Sequence, residues 1–115
     1  MVDKPILLDL ASETGRRFGV LPPDFAQKMA KRIQRKFKVK VDIDVIAELA
    51  AGYASSYRFA ESALQECLLP VRGEYASLAD VDDKKYMAKI TAQFPIEDAD
   101  VLNEIAGWPI FNYLR

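Results

Sequence analysis

Residues 42–68 run for 27 positions without a proline, and no other stretch constrains the fold as strongly. At about 1.5 Å of rise per residue they allow a helix of roughly 40 Å. Asp42 or Asp44 suits the N-cap, where a carboxylate accepts from the free N–H groups of the first turn. Ile46, Leu49, Ala50, Tyr53, Tyr57, Ala60, Leu64, Cys67 and Leu68 recur at the spacing of one helical face. Val45, Gly52, Phe59 and Ala63 add a second apolar line, which predicts a wide buried arc. Small residues around Gly52 would let a neighbouring helix come close. A helix this apolar is normally covered from several sides.

Shorter helices are expected around it. Asp3 and Pro5 suit a helix start, with Leu7, Leu10, Ala11, Thr14 and Phe18 on one face and Gly19 at the end. After Pro22 and Pro23, residues 24–37 form a two-faced pattern with Phe25, Ala26, Met29, Ala30, Ile33 and Phe37 inward. Residues 38–42 alternate like a very short strand or an extended link. Beyond Pro70 a loop precedes a helix that starts at Ser77 or Asp80 and ends near Phe94. A last short helix spans residues 96–106, with Gly107 as its stop and 108–115 as an apolar tail. The expectation is all-α: one domain over residues 1–115, about five helices around the long central one, and at most one tiny strand pair. Over residues 24–94 the order and lengths of the helices resemble the histone fold, in which two shorter helices flank a long one.

Composition narrows the chemistry. The chain has no histidine, which removes the commonest general base and the commonest metal ligand. Cys–His pairs, Ser–His–Asp triads and ordinary zinc sites are excluded with it. Cys67, the single cysteine, cannot form an internal disulfide and falls on the apolar stripe, where it reads as a small buried hydrophobe. Acids at Asp80, Asp82 and Asp83, and at Glu97, Asp98 and Asp100, fall at helix starts, where they satisfy N–H groups and the dipole. No metal site or cofactor is expected. No apolar run approaches the roughly 18 residues of a membrane span, and residues 1–10 do not read as a signal peptide. A cytoplasmic location is the expectation.

Charge is distributed very unevenly. Residues 16–40 hold nine Lys/Arg against one Asp, whereas residues 41–115 hold six against thirteen acids. Lys28, Lys31, Arg32, Arg35 and Lys36 share the polar side of the second helix, a candidate surface for another macromolecule. Trp108, Phe111 and Tyr113 are a second candidate, because tryptophan and tyrosine are over-represented at interface centres. The expected function is a non-enzymatic protein-interaction or assembly module, self-associating or a small subunit of a complex. In self-association, the acidic C-terminal part of one copy would face the basic helix of another. Nucleic-acid binding through residues 24–40 is the alternative, because a basic helical face can track phosphates.

Overall fold

The computed structural model describes residues 2–67, 82–94, 96 and 98–113. They form five helices and, among the described residues, no strand: α1 (Lys4–Arg16), α2 (Phe25–Phe37), α3 (Ile43–Glu66), α4 (Asp83–Gln93) and α5 (Ala99–Tyr113). Residues 38–42 are thus a link without a strand, and Lys38 turns it through a left-handed φ of 60°. The all-α expectation holds, and α3 is the central helix.

α3 starts where a carboxylate can hold its first turn. Asp42 accepts from the Asp44 N–H at 2.8 Å, and Cys67 closes the far end. Most of its buried side chains belong to two apolar clusters. Ile46, Ala50, Tyr53 and Tyr57 meet Leu10 of α1, Met29 and Ile33 of α2, and Val101 and Ile105 of α5. Ala60, Ala63 and Leu64 meet Tyr86 and Ile90 of α4 and Leu102 and Ala106 of α5. α3 and α5 therefore run through both clusters, while α1 and α2 serve the first and α4 the second. In the histone-like order, two helices alone would lie on the long one; here α1 and α5 lie on it as well.

α1 ends in a Schellman turn. The Gly19 N–H donates to the Thr14 carbonyl at 3.1 Å and the Phe18 N–H to the Gly15 carbonyl at 3.0 Å. That turn needs a left-handed residue, and Phe18 supplies it at φ 58°. Phe18 is therefore outside the helix and 47% exposed, contrary to the inward position its spacing predicts. Gly19 follows at φ +71° and lies against α3, where a Cβ would come within 3.0 Å of Tyr57 and 3.1 Å of the Ala54 carbonyl. Arg58 fastens the contact by donating to the Gly19 carbonyl at 2.9 Å.

α4 is capped by Asp82, which accepts from the Lys85 N–H at 3.2 Å; the starts expected at Ser77 or Asp80 lie outside the described residues. α5 departs most from expectation. It does not stop at Gly107 but continues through Pro109 to Tyr113. Pro109 cannot donate to the Ile105 carbonyl, and that lost bond ordinarily bends a helix. In the same turn the buried Tyr86 hydroxyl donates to the Ala106 carbonyl at 2.6 Å. Tertiary packing supplies the rest: Trp108 lies on Gly15, so closely that a Cβ on that glycine would be 2.4 Å from the indole. Among the described residues, α1 packs against α5 more extensively than any other two helices pack together.

Candidate interaction surface

The basic side of α2 is less free than its sequence suggests. Asp9 of α1 accepts from the Arg32 Nε at 2.8 Å and Nη2 at 3.0 Å, and from Lys36 at 3.1 Å. The Arg32 guanidinium beside Asp9 is the main reason its carboxyl sits below the ordinary range; Lys36 adds to the effect, and partial burial opposes it. Glu13, buried on the same helix, lies 3.7 Å from Arg32. Lys28 pairs with Asp24 one turn earlier at 3.2 Å. Of the five expected contact residues, Arg32 and Lys36 thus tie α2 to α1 and Lys28 has a local partner. Lys31 and Arg35 are exposed, as are Lys38 and Lys40 beyond them.

The aromatic tail is likewise divided. Trp108 is half-buried on α1 and donates to Glu104 at 3.2 Å. Phe111 is 52% exposed and stands edge-on to Trp108 at 5.2 Å. The Tyr113 side chain lies outside the described residues. Between α5 and α3, the Asn112 amide donates to the buried Tyr57 hydroxyl at 3.1 Å, one of the polar contacts that buried tyrosines require.

The acids at helix starts do the work expected of them where they are described. Asp98 accepts from the Asp100 and Val101 N–H groups at 2.8 and 3.2 Å, and Lys4 reaches both Asp98 and Asp100. Burial pushes the Asp98 carboxyl up, but those N–H groups and Lys4 outweigh it and hold the carboxyl low. Burial raises Tyr53, with the Asp98 charge adding to it, and burial likewise pushes the Cys67 thiol up, away from a reactive thiolate.

The surface that residue spacing did not indicate is on α3 itself. Ile43, Val45, Ala47, Ala51 and Gly52 are all exposed. Val45 and Gly52 thus lie outside the buried arc predicted for them, because α1, α2 and α5 cover only the opposite side of this half. Next to Val45 an apolar groove runs along the helix. Val2, Leu7 and Val41 line its first part, and Leu49, Tyr53, Phe94 and Ile96 the second. Asp3, Asp42, Glu48 and Lys40 stand among its lining residues. A Cβ on Gly52 would meet no atom of the described residues within 4 Å. Glycine inside a helix costs about 1 kcal/mol relative to alanine, and no contact among the described residues explains it here. The signal in the sequence was present: residues 45–54 are apolar almost all round the helix, more than a single-sided contact uses.

Among the described residues, no helix is long and apolar enough to cross a membrane. Neither a protein-family model, nor a curated protein, nor a solved structure matches this chain, and the functional reading rests on its own residues and surfaces.

Proposed function

We propose that the protein is a non-enzymatic assembly module that docks another protein on the uncovered side of α3. The observation that carries this reading is the apolar groove beside Val45, with Val45 and Val39 each about two-fifths exposed among its lining residues. Exposed apolar side chains gathered around a groove, with charges at the rim, are the composition of a docking surface. The lack of histidine and the capping roles of Asp82 and Asp98 favour binding over catalysis. For the nucleic-acid alternative, the internal pairing of Arg32, Lys36 and Lys28 leaves Lys31, Arg35, Lys38 and Lys40 as the basic surface, a small footprint for phosphates. Those cations suit steering toward an acidic protein surface.

The test uses two full-length variants beside the wild type. Val45→Glu puts a charge into the groove at an exposed site, and Lys31→Glu/Arg35→Glu reverses the basic surface without touching Asp9. A protein partner retained by the wild type after nuclease treatment and lost by Val45→Glu is the expected result. Salt-sensitive binding of DNA or RNA, lost in the double reversal and kept by Val45→Glu, would replace this reading with the alternative.

A further inference from the structure

Asp44, Glu48, Ala51 or Gly52, Ser55 and Arg58 follow one another three or four residues apart along one side of α3; all six are exposed, and Arg58 at the far end also reaches the Gly19 carbonyl. Acidic residues occupy one end of this row, the small side chains its middle, and Arg58 the other end. Such a row is complementary to itself when reversed. Laid antiparallel on a second copy about a two-fold axis at Ala51 and Gly52, it sets each Asp44 against the partner's Arg58, since the two lie almost equally far from the axis. Glu48 then falls opposite a Ser55 hydroxyl. A parallel arrangement would instead place Asp44 on Asp44 and Arg58 on Arg58, and like charges at an interface act against a pairing.

We propose that a second copy of the chain covers this face, in a two-fold dimer of antiparallel α3 helices that cross at Gly52. The inference rests on the reading of α3 as a docking surface and names its occupant. The missing side chain at Gly52, which nothing among the described residues requires, lets the two helix axes approach toward the short end of the usual 8–10 Å. Residue contacts are reciprocal in such an interface, so each favourable pair occurs twice.

Sedimentation velocity over a dilution series of the full chain tests the pairing. The wild type is expected to be a dimer. Asp44→Arg and Arg58→Asp should each weaken self-association by roughly tenfold or more, because each sets like charges opposite one another. An equimolar mixture of the two variants should form a heterodimer, because every cross-pair is again opposite in sign. That recovery separates a lost interface from a lost fold, since Arg58 also holds the Gly19 carbonyl. Gly52→Leu should be a monomer that melts no lower than the wild-type monomer. A wild-type monomer throughout the series would overturn the pairing, as would a dimer indifferent to Gly52→Leu and to both charge reversals. The docking surface itself is judged separately, by whether Val45→Glu loses a nuclease-resistant protein partner.

Discussion

A methyl group added at Gly15 or at Gly52 tests the packing from two directions, because both glycines are helical and their surroundings are opposite. At Gly15 the new Cβ would stand 2.4 Å from both Cδ1 and Cγ of Trp108 and 2.9 Å from its Cβ. Carbon atoms in contact normally keep about 3.5–4.0 Å, so Trp108 must retreat by about 1 Å. The crowded atoms include the root of the indole, so turning the ring does not relieve them and α5 has to shift. Overpacking of this kind costs about 1–3 kcal/mol, and the better helix propensity of alanine returns up to about 1 kcal/mol. Gly15→Ala should therefore destabilise by about 1–2 kcal/mol. Gly52→Ala meets no atom of the described residues within 4 Å and should stabilise the monomer by about 1 kcal/mol. At about 4 °C per kcal/mol for a domain of this size, the two midpoints should differ by roughly 10 °C. Thermal unfolding followed by circular dichroism at low protein concentration measures the difference. Trp108→Leu in the Gly15→Ala background should recover part of the loss, a coupling that distant residues would not show. If both alanine variants proved equally stabilising, Trp108 would not lie on Gly15 and the end of α5 would not be docked on α1.

Three further outcomes follow from the core and its ion pairs. Leu64→Asp, at a position 3% exposed, should unfold the protein by burying a carboxylate without a partner, a loss of several kcal/mol readable by denaturant titration; Leu49→Asp should be milder, since Leu49 is only half-buried at the groove. Asp9→Asn should cost roughly 1–2 kcal/mol near neutral pH, the low end for charge-assisted bonds because Arg32 and Lys36 are partly exposed. Because folding lowers the Asp9 pKa from its ordinary 3.8, its contribution is complete above that value and is lost as pH falls through the lower folded value; wild type and variant should converge in strong acid and differ most above about pH 4. Cys67→Ala should cost about 1–2 kcal/mol as a small core truncation, and a thiol reagent should label native Cys67 only as fast as the protein opens; rapid labelling would contradict its burial.

The extent of α3 was readable from residues 42–68 because three local signals agree there: the Asp42 cap, the absence of proline and a sustained apolar spacing. α2 was readable for the same reason, its two faces being cleanly separated. Local signals misled where a distant contact decides the outcome. Gly107 and Pro109 each argue for a helix end, yet Trp108 on Gly15 and Tyr86 on the Ala106 carbonyl sustain α5 through both. Spacing alone put Phe18 inward, whereas the hydrogen bonds closing α1 turn it outward. Neither the basic side of α2 nor the open side of α3 was legible in full. Spacing identifies which residues share a face, but not that Asp9 lies across from Arg32 or that none of the described helices covers Gly52.

The close packing of α1 on α5 also orders events during synthesis. α1 leaves the ribosome first, while its largest partner begins 83 residues after α1 has ended. At about 5–20 residues per second, that interval is about 4–17 s. Until then Leu10 and Ala11 have only part of their final cover, even once α2 and α3 have been made. Of the five helices, the last to be translated is thus the one that locks the first, and a chain cut off before Trp108 would leave α1 open where Gly15 should be closed.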